Sequence, residues 1–238
     1  MTFDESVIHY PDNLSPQLIS KSILMNTWSQ QLDPEIQINS VNVISADIFP
    51  NNRIGFYEAE INYTSNSVND KERIIMSGGS SSIVVLIRCL ETNEIYTVLV
   101  KQPRIGSGKL QYEYPAGLTD DSTDFRLTAV RELEEECNIK ANKEEIININ
   151  KLLYENDVKF FTNAHLFYEA TSVYLYVKSM TRAEINALEG SYGGVDEDEQ
   201  ITLHICKFDD VFLISQDPTT ISITFLLKTL IKKRKIVI

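Results

Sequence analysis

The run SSIVVLIRCL (81–90) is apolar at nearly every position and rich in β-branched residues, the pattern of a strand covered on both faces. IYTVLVKQ (95–102) follows after the short polar ETNE, which predicts a hairpin. GFYEAEINY (55–63) alternates apolar and polar positions, as a half-buried strand does, and SNSVNDKE (65–72) reads as a turn. LQYEY (110–114), EIININKLLYE (145–155), TSVYLYVK (171–178) and EQITLHICKF (199–208) complete the expected strands. Helical spacing appears over the segment after Pro115, in TRAEINALEG (181–190) and in PTTISITFLLKTLIKKRK (218–235). Residues 1 to about 40 differ from the rest. There Ser15 and Pro16 look like a helix start, and Leu18, Met25, Trp28 and Leu32 form a stripe. Strands outnumber helices, and the helices interrupt rather than alternate with them. The expected class is therefore α+β, or mixed α/β, with helices packed on a largely antiparallel or mixed sheet.

Composition narrows the partners. With 43% apolar and 24% charged residues over 238 positions, the chain has the make-up of a soluble globular protein. A formal net charge of −12 argues against a nucleic-acid surface, which relies on clustered Lys and Arg. No apolar run approaches the roughly 20 residues needed to span a bilayer. MTFDESVIHYPDN lacks the basic flank and apolar core of a signal peptide, so a cytoplasmic protein is expected. Cys89, Cys137 and Cys206 are scattered through apolar segments and read as buried free thiols. His9, His165 and His204 show no metal spacing, and SGGSSS (77–82) leads into a strand without the lysine of a phosphate loop.

The densest chemistry lies in RELEEE (131–136). Successive helical residues turn by about 100°, so Glu136 and Glu135 fall roughly 40° and 60° to either side of Glu132. Three carboxylates thus share one face, while Val130, Leu133 and Cys137 occupy a neighbouring face suited to packing on a sheet. Like charges so placed repel. Such a run is either a solvated helix face or a set of oxygen ligands for a hard divalent cation. PAGLTDD, just before it, provides a Pro-Ala-Gly turn where backbone can approach that face. Thr123 or Asp124 is placed to cap the helix, and Asn138 to end it in left-handed geometry.

Gly117, Arg131-Glu132-Leu133, Glu135-Glu136 and Ile139 fall in register with G-x5-E-x7-R-E-U-x-E-E-x-G-U, where U is aliphatic. This resembles the Nudix box. Two positions depart from it: Thr123 stands for the first glutamate, with Asp120, Asp121 and Asp124 nearby, and Asn138 stands for the late glycine. VLVKQPRIGSGKLQYEYPAGLTDD (98–121) is similar to the lead-in of the nucleotide-sugar branch, and GGVDEDEQITLHICKF (193–208) to its downstream acidic loop and strand. The likeness runs over about residues 41 to 230 and is greatest to ADP-sugar diphosphatases, including plant-type enzymes.

The resemblance implies a Nudix fold, a mixed sheet sandwiched by helices. An N-terminal extension over 1–75, a candidate dimerisation element, would precede a Nudix domain over 76–238. It implies hydrolysis of the diphosphate bond in ADP-ribose or ADP-glucose type compounds, giving a nucleoside monophosphate and a sugar phosphate. Alternatives are UDP-glucose diphosphatase activity and a module that binds a nucleotide sugar without cleaving it. Mg²⁺, or Mn²⁺, would be held by Glu132, Glu135 and Glu136 with the Ala116 carbonyl, and Arg131 would hold the glutamates in place. Glu199 aligns best with the family's catalytic glutamate, with Glu197 second and Glu169 a further candidate. Arg104, Glu113, Ala116 and Gly117 are the implied substrate-side residues, Arg104 through its bidentate fork. A homodimer is expected on the same ground.

Overall fold

The computed structural model describes residues 7–11, 14, 19, 22–49, 54–119, 124–154, 158–193 and 201–238. The chain forms two compact units, Met1–Gly79 with Phe161–Thr171, and Ser80–Phe160 with Ser172–Ile238.

In the first unit, β1 (Ile8–His9) pairs parallel with β2 (Ile36–Ile48), and β2 pairs antiparallel with β3 (Ile54–Ser65). The helix α1 (Ile23–Gln30) is capped by Ser22, whose side chain accepts from the Met25 N–H at 3.1 Å. The Ser15 and Pro16 helix start lies outside the described residues. Met25 and Trp28 bury against Val41, Tyr57, Ala59 and Met76, so part of the expected stripe does face a core.

One expectation fails here. Only Asn66 and Ser67 make the turn, and Val68 already begins β4 (Val68–Cys89). Both turn residues have positive φ, 50° and 64°, the geometry of a two-residue hairpin whose twist matches its strands. Residues 69–73 are polar because they form the exposed end of that hairpin with β3, not because they loop.

In the second unit, β5 (Ile95–Arg104) forms the expected hairpin with β4, pairing Leu86–Arg88 with Ile95–Thr97. Its other partners are β6 (Lys109–Glu113) and β12 (Ile201–Lys207), both antiparallel. β7 (Ala116–Leu118) pairs with Ser80–Ser82 of β4. The helix α2 (Phe125–Cys137) carries the acidic run. Ile83, Val85, Ile87 and Cys89 pack with Ala129, Leu133 and Cys137 of α2 and with Ile185 of α4 (Arg182–Leu188). Val84 and Leu86 point the other way, to Ile223, Leu227 and Leu230 of the last helix, Pro218–Lys232. This alternation explains the continuous apolar run: both faces of β4 are covered by helix. The mixed sheet flanked by helices is the expected fold.

The segment 145–155 departs from its strand reading. Only Ile147–Asn148 is extended (β8), and Ile149–Leu153 is a short helix, α3. The Asn148 side chain accepts from the Lys151 N–H at 3.0 Å and so starts a helix inside a β-branched run. β10 (Phe167–Met180) pairs with β8 and β4. Thr181 and Glu184 form a reciprocal cap on α4. β11 (Tyr192–Gly193), α5 (Val211–Ile214) and α6 (Pro218–Lys232) complete the described elements used below. All three cysteines are free and buried, as expected. Among the described residues, no helix is long and apolar enough to cross a membrane.

Candidate active site

The two ends of α2 are set by the residues singled out for them. The Asp124 side chain accepts from the Arg126 and Leu127 N–H groups. Asn138 takes the left-handed conformation, φ 54°, and its N–H closes onto the last turn. With Ala129, Leu133 and Cys137 fully buried on the sheet, the helix is fixed in rotation, and its neighbouring face presents the glutamates. Glu132 and Glu136 are each only 6% exposed, while Glu134 lies on the surface against Lys140.

Two nearly buried carboxylates one turn apart need compensation. Arg131 supplies part of it, binding Glu132 at 2.8 Å and Glu135 at 2.7 Å, and it also donates to the Leu118 carbonyl at 3.2 Å. The Ala116 N–H supplies another part by donating to the Glu136 carboxylate at 3.0 Å. Gly117 lies so close to Glu132 that a Cβ there would collide with the carboxylate. The backbone of the Pro-Ala-Gly turn therefore meets the acidic face directly. The concentrated negative charge is felt nearby: burial, then Glu136 and Glu132, push the Cys137 thiol well above its usual range.

Arg104 and Glu113 form a fork. The Arg104 Nε donates to both Glu113 oxygens at 3.0 Å, and Nη2 donates to Oε2 at 2.6 Å. Glu113 above all, and then Glu136 and Asp217, hold the Arg104 guanidinium even further into its charged range. The cation thus sits within the field of the box while half exposed.

Sequence reasoning missed a second approach to α2. β11 crosses its C-terminal end, where the Asn138 side chain donates to the Tyr192 carbonyl at 2.9 Å. A Cβ on Gly193 would collide with the Glu136 backbone. The glycine doublet at 193–194 was the available signal. Glu199 and Glu197, like Thr123, Asp120 and Asp121, lie outside the described residues. Glu169 lies on β10 in the first unit.

Ala116, Gly117, Arg131, Glu132, Glu135 and Glu136 are thus brought together, with Arg104 and Glu113 as a separate pair. A model described as the NUDIX domain matches residues 81–223. The chain belongs to the Nudix family. A relative in Arabidopsis thaliana, "Nudix hydrolase 14, chloroplastic", is 31% identical over 186 residues, covering 74% of this chain. The chain spans only 60% of that relative's length. "Methanol dehydrogenase activator" of Bacillus methanolicus is 29% identical over 145 residues, covering 61% of this chain and 66% of its own. A crystal structure of an "ADP compounds hydrolase" superposes with a TM-score of 0.58 over 86% of this chain and 98% of its own. At 14% identity, that likeness concerns the fold alone.

The donor set of this Nudix site has the chemistry of a hard-cation site: three carboxylates on one helix face beside exposed backbone of a turn. Among the described residues, no group of three or more His, Cys, Asp or Glu side chains is already set around one point. Arg131 occupies Glu132 and Glu135 instead.

Proposed function

We propose that this protein hydrolyses the diphosphate bond of nucleoside diphosphate sugars, of the ADP-ribose or ADP-glucose type, in a reaction dependent on Mg²⁺ or Mn²⁺. The observation that carries the reading is the meeting of the Ala116–Gly117 backbone with Glu136 and Glu132. Three mutually repelling carboxylates beside a turn that leaves them no bulk are costly to keep, and a divalent cation turns that cost into binding. Glu132, Glu135 and Glu136 would hold the metal, with the Ala116 carbonyl as a backbone ligand. A metal held there would neutralise the diphosphate and lower the pKa of its water, so that hydroxide is available as the nucleophile near neutral pH.

The chain's own residues do the rest. Arg131 orients Glu132 and Glu135 from behind. Arg104, held along its Nε–Nη2 edge by Glu113, is proposed to offer its remaining Nη1 side to a diphosphate or ribose oxygen. Such an anion needs that help against a net charge of −12. Glu199 or Glu197 is the proposed group that takes the proton from the attacking water. ADP compounds, which the structural neighbour's name says that it hydrolyses, are the first substrates to test. The proposed products are AMP and a sugar phosphate.

A non-catalytic reading draws on one observation, the pairing of Arg131 with two of the three glutamates. The test separates the two. Purified protein is offered ADP-ribose, ADP-glucose, UDP-glucose and nucleoside triphosphates, with Mg²⁺ or with EDTA. Metal-dependent AMP release from the ADP-sugars supports the proposal. UMP release from UDP-glucose alone moves the specificity, and binding without any product favours the module.

A further inference from the structure

Three hydroxyl groups lie buried where α6 meets the strand leading into the Pro-Ala-Gly turn. Tyr114, Thr220 and Thr224 are 3%, 2% and 3% exposed, and Tyr114 belongs to the cluster that also buries Leu99, Ile223 and Leu227. A buried hydroxyl is unfavourable unless it is used, and valine would fill the place of Thr224 equally well. The hydrogen bonds say how it is used. The Thr224 hydroxyl donates to the Thr220 carbonyl at 2.7 Å, which commits its single proton. In the 2.7 Å contact between Thr224 and Tyr114, the phenol is therefore the donor. The result is a directed chain: Tyr114 hydroxyl to Thr224 hydroxyl to Thr220 carbonyl.

The same helix end grips the strand a second and third time. The Tyr114 N–H donates to the Thr220 hydroxyl at 3.3 Å, and the Ser215 hydroxyl donates to the Tyr112 carbonyl at 2.6 Å. Asp217 closes the corner, accepting from the Thr220 N–H at 2.7 Å while its own N–H donates to Ser215. Beyond Tyr114 the chain has little freedom. Pro115 has a fixed φ, and its carbonyl accepts from the Ile83 N–H at 2.9 Å. The next N–H is that of Ala116, on Glu136.

We infer that Tyr114 and Thr224 are positioning residues: the hydroxyl chain from α6 sets where Ala116 stands against the glutamate face. This rests on the hydrolytic reading for its consequence in turnover, but not for its structural content.

The experiment uses the full chain as wild type, Tyr114→Phe, Thr224→Val and Thr224→Ser. Amide hydrogen exchange is followed by NMR without metal, and kcat and KM are measured on ADP-ribose with Mg²⁺. In Tyr114→Phe and Thr224→Val the Ala116 amide should exchange about fivefold faster, the scale of one lost hydrogen bond. Amides of Val85 and Leu99 should keep their protection. kcat should fall about tenfold at unchanged KM, since a small misplacement of reacting groups is costly. Thr224→Ser, which keeps the hydroxyl, should restore both. An unchanged Ala116 amide in both variants overturns the inference, and so does an equal rise at Val85 and Leu99, which would mean general loosening. If wild type cleaves nothing, the hydrolytic reading fails alone, and the exchange arm still decides this one.

Discussion

Gly117 turns bare backbone towards the Glu132 carboxylate, which Arg131 holds from its other side: a Cβ at 117 would occupy the same space as the carboxylate. Gly117→Ala is therefore expected to push β7 away from α2 rather than unfold the protein. Overpacking of this kind costs about 1–3 kcal/mol. Turnover of ADP-ribose should fall by about a hundredfold, because the turn no longer meets the glutamates. Thermal unfolding and steady-state kinetics on the same sample check both halves. Full activity would mean that the close approach is packing only.

Arg131 pairs with both Glu132 and Glu135. Removing it by Arg131→Ala should lower the melting temperature without metal, since the carboxylates then face one another uncompensated. Saturating Mg²⁺ should raise the melting temperature more in the variant than in wild type, because ligand binding stabilises by mass action. kcat should nevertheless drop, the glutamates having lost their orienting partner. Equal metal-induced shifts in both proteins would contradict this role.

Asn138 holds a positive φ at the end of α2, and Ile139 then packs with Leu133 in the core. Asn138→Gly keeps that geometry and loses only the contact to Tyr192, so a change within about 0.5 kcal/mol is expected. Asn138→Ala keeps a Cβ in the left-handed region but loses the polar side chain that makes asparagine tolerant of it, and should cost about 1 kcal/mol. Urea titrations of the two variants distinguish them.

Away from the site, Glu94 gathers Lys207 at 2.6 Å, the Tyr96 hydroxyl at 2.9 Å and Arg182 at 3.1 Å. Lys207 first, then Tyr96 and Arg182, draw its carboxyl down from the ordinary 4.5 to about 2. A lowered folded-state value means that the stabilisation is present above pH 4.5 and is lost as pH falls towards 2. The stability difference between wild type and Glu94→Gln should thus be constant at neutral pH and shrink across that window. Acid titration of both by circular dichroism measures it, and a gap that persists at the acid end would count against the assignment.

What the sequence made legible was local. The caps Asp124 and Asn138, the glutamate face and the strand buried on both sides all follow from spacing within one element. The failures came where one or two residues overrode a longer pattern. Asn66 and Ser67 turn the chain in two positions, leaving a polar stretch that continues as strand. Asn148 starts a helix in a segment whose β-branched residues favour extension. The third class is non-local. That Arg104 grips Glu113 depends on how β5 and β6 lie together, that Gly193 touches Glu136 depends on β11 crossing the helix end, and that Thr224 receives the Tyr114 proton depends on where α6 lies. Side chains more than fifty positions apart in the last two cases carry no mutual spacing to read.

The most direct test is AMP release from ADP-ribose in the presence of Mg²⁺ by wild type and Glu136→Gln. Glutamine keeps an oxygen to accept from the Ala116 N–H, so the fold should survive and only the ligand charge is lost. Turnover is expected to fall by roughly a thousandfold or more, with a melting temperature in metal-free buffer no lower than that of wild type, as for loss of a metal-bound catalytic centre. A folded Glu136→Gln protein that releases AMP at the wild-type rate would contradict it.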